Sequence, residues 1–280
     1  MIAYPQIDPV VVALGPLKIH WYGLMYLIAF GAAWWLGRRR ASAENSIIQP
    51  QQVDDLIFYG ALGVVLGGRM GSVLFYNFDS FLENPIYLFK IWQGGMSFHG
   101  GFLGVLVAME FYRRKLGCGF FQLTDFIAPL VPLGLATGRL GNFINAELWG
   151  APSNLPWAMK LSCEQFPADR FVDYAGPLCF SPRHPSQLYE MVLEGLLLFV
   201  VLWLISSKPK PVMTVSGYFL LLYGLARSSV EFIRLPDAHV GYLFNTEWLT
   251  RGIALSLPMI IVGMVFIIYA RRAGNNATVS

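Results

Sequence analysis

Arg139 and Asn142 stand three residues apart in a stretch of chain that is otherwise apolar and rich in glycine. Residues three apart on a helix lie on the same face. Arginine always carries its charge, and its planar guanidinium can form two parallel hydrogen bonds with a phosphate, to which an amide can add another. The pair therefore predicts a binding site for a phosphate oxyanion. At the depth of a membrane, a lipid headgroup is the most available phosphate.

A second set of polar residues repeats at helical spacing further along the chain. Tyr223, Arg227 and Glu231 follow one another at intervals of four, and Arg234 comes three residues later. This spacing places the side chains on one helix face, where Arg227 and Glu231 can form an ion pair. The pair could fix helix packing alone. It could also complete a site for a charged substrate, because ionisable residues in apolar segments usually face the interior of a helix bundle.

His99 is the third candidate, at the start of an apolar segment and followed by Gly100 and Gly101. Histidine can accept a proton near neutral pH, and the two glycines leave room for a substrate beside the ring. The alternative is a histidine at a helix start that only hydrogen-bonds a carbonyl group. From the residues alone, both interpretations remain open.

The other charged residues of the apolar segments, and the cysteines, carry weaker chemical signals. Arg69 is set among glycines that allow close helix contact, so it could cap neighbouring carbonyl groups or belong to the site. Glu190 and Glu194 lie near a predicted outer helix end, where a structural role is favoured over a catalytic one. The cysteines show no metal-like spacing, although Cys163 and Cys179 could form a disulfide in an oxidising compartment.

These candidates belong to a chain whose composition indicates an integral membrane protein. Of its 280 residues, 55% are hydrophobic and only 13% are charged, which is too apolar for a soluble domain of this length. The 8 tryptophans and 13 tyrosines suit the interfaces of a bilayer. The net charge of +3 is spread over short clusters, so nothing indicates a nucleic-acid partner.

Seven segments are long and apolar enough to be predicted as transmembrane helices. They are Trp21–Gly37, Leu56–Tyr76, Ser97–Tyr112, Thr124–Asn145, Gln187–Ile205, Val215–Ile233 and Gly252–Ala270. If all seven cross, the basic clusters after the first, third, fifth and seventh segments fall on one side, which the positive-inside rule identifies as the cytoplasm. The sequence therefore predicts an all-α integral membrane protein with seven transmembrane helices, its N-terminus outside and its C-terminus cytoplasmic.

The loops on the predicted outer side hold most of the remaining chain. Residues 1–280 are predicted to form a single transmembrane catalytic domain, and residues 148–186 a small extracytoplasmic head between the fourth and fifth spans. The segment Pro85–Trp92 has an apolar, aromatic face and is predicted to form an interfacial helix.

Several motifs resemble those of the bacterial prolipoprotein diacylglyceryl transferases. The most specific is the run from Gly138 to Gly150, which resembles the family signature throughout. The other matching runs are His20–Tyr26, Gly94–Gly101, His184–Glu190 and several positions between Tyr223 and Asp237. They occur in the expected order over nearly the whole chain, so together they are a specific indication of the family.

The resemblance implies an activity. Members of this family transfer an sn-1,2-diacylglyceryl group from phosphatidylglycerol to the lipobox cysteine of a prolipoprotein, forming a thioether and releasing glycerol 1-phosphate. This is the first step of bacterial lipoprotein maturation. The expected partners are phosphatidylglycerol, lipobox-containing signal peptides and membrane lipids, with no nucleic acid, no cofactor and no metal. The expected location is the bacterial inner membrane, with the active site towards the outer leaflet.

The resemblance also implies roles for individual residues. Arg139 and Asn142 would hold the lipid phosphate, and Arg227, paired with Glu231, would complete the positive site. His99 would accept the thiol proton, so His99, Arg139 and Arg227 are the expected catalytic residues. Supporting roles in orientation or gating are expected for Tyr22, Glu147, Gly150, Tyr223, Glu231 and Arg234.

One position departs from the family pattern. Gly252 is followed by Ile253, where the family usually has glutamine, so a polar contact is lost or replaced there.

A lipid or small-molecule transporter is the main alternative function, because transporters also use buried charges and interrupted helices. The odd number of predicted spans and the lack of repeated halves argue against it. A metal-dependent headgroup transferase is disfavoured, because the apolar segments contain no cluster of aspartates.

Overall fold

The computed structural model describes residues 1–279, apart from residues 6, 16, 91–93, 170 and 237–240. The backbone divides into two compact units. Unit 1 comprises Met1–Gly31 and Ala128–Ser280, and unit 2 comprises Ala32–Ile127.

Most of the described chain is helical. Its α-helices are α1 Trp21–Ala41, α2 Pro50–Tyr76, α3 Phe78–Glu83, α4 Phe98–Leu116, α5 Phe120–Ile127, α6 Val131–Ile144, α7 Ser186–Glu190, α8 Leu198–Ile205, α9 Thr214–Glu231 and α10 Arg251–Val279. A π-helical segment, Met191–Leu197, joins α7 to α8, and short 3-10 turns form at Pro85–Phe89 and Leu243–Asn245. Each of the seven segments predicted as transmembrane is covered mainly by helix.

Several of these helices have the length and hydropathy of a membrane span. Among the described residues, Pro50–Tyr76, Ser186–Ile205 and Arg251–Gly274 qualify individually, and α5 with α6 qualifies together as a fourth, interrupted span. Such helices are typical of a helical membrane protein. The number of seven crossings and the orientation of the termini remain predictions from the sequence.

The fourth predicted segment, Thr124–Asn145, is not one continuous helix. α5 ends at Ile127 and α6 begins at Val131, with a turn between them. Pro129 and Pro132 both lack the backbone N–H that a continuous helix would use. Pro132 falls instead in the first turn of α6, where no helical hydrogen bond is lost. The predicted segment is therefore a bent pair of helices, interrupted beside its two prolines.

In unit 2, α2 and α4 pack through small residues. Gly63 and Gly67 of α2 lie against Gly100 and Gly104 of α4, and a Cβ atom on Gly63 would come within 2.6 Å of the Gly104 carbonyl oxygen. Small residues allow two helix backbones to approach this closely. The expectation that Gly100 leaves room for a substrate beside His99 was wrong, because the Gly67 carbonyl occupies that space.

Arg69, buried in α2, caps backbone carbonyl groups. Its guanidinium donates to the carbonyl oxygens of Tyr87, Leu88 and Gly94, and lies 4.6 Å from the centre of the Tyr87 ring. Of the two roles that the sequence left open for Arg69, the carbonyl cap is confirmed. These contacts hold the loop that leads into α4.

The predicted interfacial helix Pro85–Trp92 is replaced in part by a tighter turn. Residues Pro85–Phe89 form a 3-10 turn after α3, and residues 91 and 92 lie outside the described part of the chain. Ile86 and Phe89 are exposed, as an apolar interfacial face requires.

Unit 1 contains short strands that the all-α prediction lacked. The strands pair two by two: β1 (Ile2–Ala3) with β4 (Met159–Lys160) in parallel, and β2 (Val10–Leu14) with β3 (Leu17–His20) and β5 (Val172–Asp173) with β6 (Gly176–Pro177) antiparallel. Cys163 and Cys179 form the disulfide that the sequence allowed. The head therefore includes the start of the chain as well as residues from 148–186.

Tyr4 links this head to the end of α6. Its ring packs edge to face against Phe143 and Trp149, with ring centres 5.4 Å apart in both pairs. Its hydroxyl donates to the carbonyl oxygens of Phe143 and Ile144 at 2.8 and 3.0 Å. Burial raises the pKa of Tyr4 to about 12, so the donor remains protonated at neutral pH. The last carbonyls of α6 thus have a partner in the N-terminal segment.

Candidate active site

Three arginines converge on one buried carboxylate in unit 1. Glu190, the last residue of α7, is only 1% exposed. Its Oε2 lies 2.7 Å from Nε of Arg139 in α6. Its Oε1 lies 2.7 Å from Nη1 of Arg227 in α9 and 2.9 Å from Nη1 of Arg234. So many charges between apolar helices are costly, and such residues are functional candidates by default.

Arg227 is held on both sides of its guanidinium. Nη1 donates to Glu190, and Nη2 lies 2.8 Å from Oε2 of Glu231, four residues further along α9. The ion pair predicted from this spacing is confirmed. Gly252 of α10 lies against the same carboxylate, where a Cβ atom would overlap it, and the neighbouring Ile253 is buried. Both terminal nitrogens of Arg227 are therefore occupied by protein carboxylates.

Arg139 is held on one side only. Its Nε faces Glu190, whereas its Nη2 lies 3.7 Å from Glu194, and its terminal nitrogens have no closer acceptor in the described part of the chain. Its side chain is 19% exposed, compared with 13% for Arg227 and 11% for Arg234. Arg139 thus keeps one edge of its guanidinium available to an anion.

Glu194 is a second buried carboxylate beside the arginines. It is fully buried, 3.7 Å from Nη2 of Arg139 and 3.8 Å from Nη1 of Arg227. Tyr223 of α9 is close enough to interact with it electrostatically. Neither oxygen of Glu194 accepts a hydrogen bond from any described residue. A buried polar group in this condition is unfavourable and calls for a functional explanation.

The predicted site omitted Glu190 and Glu194, although a signal for them was present. Two carboxylates four residues apart in an apolar segment share a helix face and must find cations. Placing them near a helix end favoured a structural role. The structure instead puts Glu190 at the centre of the arginine cluster.

Local backbone geometry brings the glutamates to the arginines. α7 continues directly into the π-helical segment Met191–Leu197, which contains Glu194. π-helical segments are rare in proteins, and those that do occur are often found at functional sites. Gly195 packs against α6, where an added Cβ atom would lie 2.5 Å from Cβ of Ala136. This close approach brings the π-helical segment to the helix that carries Arg139.

Asn142 and Glu147 form a separate polar pair at the end of α6. Asn142 is buried, and its Nδ2 donates to Oε2 of Glu147 at 3.2 Å. Glu147 also lines a cavity of about 890 Å³, together with Tyr22 of α1. Two expected supporting residues, Tyr22 and Glu147, therefore meet at one cavity. Arg139 and Asn142, expected to share a phosphate, contact different carboxylates.

The turn from α6 into the head is held by the His184–Glu190 motif. Ser186 Oγ donates to the Leu148 carbonyl at 2.7 Å, and Gln187 Nε2 donates to the Glu147 carbonyl. Leu148 has a φ of 60°, which is unfavourable for a residue with a side chain. The two hydrogen bonds thus hold Glu147 in a strained turn.

Gly150 brings the head backbone against the segment that carries Arg234. Its N–H donates to the His184 carbonyl, and its backbone forms a bridge with Arg234. A Cβ atom on Gly150 would lie 2.7 Å from the Ile233 carbonyl oxygen. Gly150 therefore acts through its backbone, because a side chain here would move Arg234 relative to Glu190.

His99 lies in unit 2, whereas the arginine cluster lies in unit 1. It occupies the first turn of α4, after Ser97, whose hydroxyl accepts the N–H of Gly100. Its ring is exposed and lies edge to face with Phe98, with ring centres 5.7 Å apart. Among the described residues no carbonyl group accepts a hydrogen bond from the ring, so the carbonyl-bonded alternative finds no support. The role of His99 as a proton acceptor remains a prediction.

The chemistry available in unit 1 is the binding of an anion. Arg139 offers an open guanidinium edge, and Arg227 and Arg234 add fixed positive charge beside it. Within the described ranges, no group of three or more histidine, cysteine, aspartate or glutamate side chains is arranged to hold a metal ion.

Comparisons with known proteins identify the family of this chain. A sequence profile described as prolipoprotein diacylglyceryl transferase matches residues 9–269. A phosphatidylglycerol–prolipoprotein diacylglyceryl transferase of Methylococcus capsulatus is 55% identical over 276 residues, which cover 98% of this chain and 100% of that protein. A protein of the same name from Pseudomonas aeruginosa strain UCBPP-PA14 is 54% identical over 272 residues, or 97% of each chain. This chain therefore belongs to the prolipoprotein diacylglyceryl transferase family.

Proposed function

We propose that this chain transfers the sn-1,2-diacylglyceryl group of phosphatidylglycerol to the lipobox cysteine of a prolipoprotein. The products are a thioether-linked diacylglyceryl cysteine and glycerol 1-phosphate. The observation that carries the proposal is the buried arginine cluster around Glu190, in a chain whose relatives are named for this reaction. The leaving group is a phosphate ester, and the cluster supplies the cations that such a group needs.

The proposed reaction is a displacement at the glyceryl carbon that bears the phosphate. A carbon–sulfur bond forms as the bond from that carbon to the phosphate oxygen breaks, and the bonding electrons stay with the phosphate. The nucleophile is the thiolate, so a positive field near the acceptor cysteine favours the reaction. His99 accepts the thiol proton or orients the group that does so. The acceptor supplies the thiol, so no cysteine of the enzyme takes part.

Arg139 and Arg227 have different roles in the proposed reaction. Arg139 is the direct ligand of the lipid phosphate, because none of the described residues occupies its terminal nitrogens at hydrogen-bonding distance. Arg227 contributes its charge from a fixed position, since Glu190 and Glu231 hold both of its terminal nitrogens. Asn142 acts through Glu147, which it holds at the wall of the neighbouring cavity.

The proposed setting is the bacterial inner membrane, crossed seven times, with the active site towards the outer leaflet. Four basic clusters on one predicted side support this orientation. Membrane lipids surround the helices, and the signal peptide of the prolipoprotein reaches the site from the same bilayer as the lipid. The head, formed from residues 148–186 with the N-terminal strand, belongs to the outer side in this arrangement.

A direct transfer assay tests the proposal. The purified protein in detergent is incubated with phosphatidylglycerol and a lipobox peptide, and products are followed by mass spectrometry. The peptide should gain a diacylglyceryl group while glycerol phosphate is released, and a peptide with alanine in place of its cysteine should gain nothing. If the folded protein gives no product, the proposal is wrong, and lipid flux in vesicles becomes the next measurement.

A further inference from the structure

The charges of the arginine cluster are balanced if every carboxylate is ionised. Arg139, Arg227 and Arg234 face an equal number of carboxylates, namely Glu190, Glu194 and Glu231. A lipid phosphodiester carries one negative charge. Binding it to a neutral cluster would leave an uncompensated charge in a buried, apolar site, which is costly. The cluster needs one additional positive charge to match its substrate.

The three carboxylates differ in how well they are compensated. Glu190 has three arginine nitrogens within 2.9 Å, and Glu231 has one at 2.8 Å. Glu194 has none closer than 3.7 Å, accepts no hydrogen bond from a described residue, and is fully buried. Removing a carboxylate from water without hydrogen bonds disfavours its charged form. Glu194 is therefore the carboxyl group best suited to hold a proton.

The surroundings of Glu194 include charges of both signs. The titratable and charged groups that face it are Arg139 on α6, Glu190 on its own helix, Tyr223 and Arg227 on α9, and Arg234 after α9. The arginines favour an ionised Glu194, whereas Glu190 and burial oppose it. Burial is the largest of these effects, and Arg139 and Arg227 both lie closer to Glu190 than to Glu194.

We infer that Glu194 is protonated in the enzyme that binds phosphatidylglycerol, and that its proton gives the cluster the single positive charge that the phosphodiester neutralises. The inference rests on the proposed function and adds to it a carboxyl group that matches the site to a singly charged lipid. Glu194 is a positioning residue in this scheme, because it acts on the lipid through Arg139 and Arg227. Ionisation of Glu194 as the pH rises cancels the extra charge and weakens lipid binding.

The test compares the wild type with Glu194→Gln, which keeps the shape of the neutral acid and cannot ionise. The KM for phosphatidylglycerol is measured at saturating peptide from mildly acidic to alkaline pH. The wild-type KM should rise by up to about tenfold per pH unit once Glu194 loses its proton, as expected for a single proton linked to binding. The Glu194→Gln enzyme should show a KM for phosphatidylglycerol that stays low over the whole range.

Two further variants distinguish the effect of the Glu194 proton from an effect on packing. Glu190→Gln should lose activity at every pH, because the ion pairs to three arginines are weakened. Glu194→Met, also uncharged, should reproduce the flat KM profile if the glutamine variant fails to fold, as judged by thermal unfolding in detergent. A folded Glu194→Gln enzyme that is inactive, or whose KM still rises with pH as in the wild type, overturns the inference.

Direct lipid binding distinguishes this inference from the proposed function. Displacement of fluorescent phosphatidylglycerol gives the affinity of each protein over the same pH range, without any transfer. If the wild type binds but transfers nothing, the proposed reaction fails while the affinities still test the proton. Equal pH dependence of binding in the wild type and in Glu194→Gln contradicts the role of Glu194 whatever the transfer assay gives.

Discussion

The arginines of the cluster have the same chemistry but different surroundings. Arg227 has carboxylates at both terminal nitrogens, whereas Arg139 meets Glu190 through Nε alone. An arginine with occupied nitrogens supplies charge, and one with an open edge can also form the paired hydrogen bonds that a phosphate accepts. Arg139 should therefore tolerate replacement by lysine, which keeps the charge, less well than Arg227.

Arg139→Lys should lower transfer by about 100-fold or more, because an ammonium group keeps the charge but cannot form the paired hydrogen bonds. The measurement is the initial rate of peptide modification at saturating phosphatidylglycerol. Arg114→Ala is the matched control, since Arg114 is 71% exposed and pairs only with Glu110 in the structure described. Near-normal turnover by Arg139→Lys would remove the direct phosphate contact from the mechanism.

His99→Gln should lower kcat by about 100-fold or more with little change in the KM for either substrate, as expected for the loss of a proton acceptor. Single-turnover rates with the lipobox peptide measure this effect. Phe98→Leu, at the exposed neighbouring position, should leave the rate unchanged. If His99→Gln retains normal turnover, the thiol proton leaves by another route and His99 only helps to position the substrate.

Among the secondary-structure elements, glycines decide how closely the helices that carry the charges approach. The π-helical segment Met191–Leu197 reaches α6 only because Gly195 has no side chain facing Ala136. In unit 2, α2 and α4 approach closely for the same reason, because Gly63 and Gly104 have no side chains between the two backbones. These contacts determine how far apart charged groups on different helices lie, which the spacing of residues along a single helix does not determine.

Gly195→Ala should reduce transfer strongly, because the added methyl group forces the π-helical segment away from α6. A displacement of about 1 Å at a catalytic group can cost roughly 100-fold in rate. Gly134→Ala is the matched control in α6, since its Cβ atom would meet Ala29 at 3.9 Å, an ordinary contact. Equal activities of the two variants, compared at equal amounts of folded protein, would show that the packing tolerates the methyl group.

For the whole chain, the head and the N-terminal segment stabilise the end of α6. Tyr4 caps the last carbonyls of α6, and the Cys163–Cys179 disulfide closes a loop within the same head. Neither Tyr4 nor the disulfide contacts an arginine of the cluster among the described residues. Their contribution is therefore expected in stability, with the chemistry unchanged.

Removing the disulfide with Cys163→Ser and Cys179→Ser should lower the melting temperature in detergent. A disulfide with this separation of 16 residues stabilises a protein by about 3 kcal/mol in the chain-entropy account. Transfer at a temperature well below the midpoint should remain near the wild-type rate. Cys118→Ser is the control, because burial raises the pKa of that thiol and it forms no disulfide. An unchanged midpoint in the double variant would show that the head is stable without the bond.

How much of this could be predicted from the sequence depends on the range of the interaction. The membrane character, the positions of the helices and the Arg227–Glu231 pair follow from composition, periodicity and local spacing, and the family follows from the resemblance of the motifs. Pro129 and Pro132 indicate a weakened backbone before α6, but the apolar run continues through them, so the exact bounds of the break come from the structure. The parallel pairing of β1 with β4 was missed because each strand has only two residues.

The sequence by itself determined which residues carry charge into apolar helices, and tertiary structure alone decided which of them meet. Glu190 and Arg227 are 37 residues apart, and Glu190 and Arg234 are 44 apart. Periodicity shows which side chains share one helix face, but it does not show which face of another helix packs against it. The close contact at Gly195 and the π-helical segment determine which faces pack together. This packing places Glu190 between the arginines and leaves Glu194 without a hydrogen bond from the described residues.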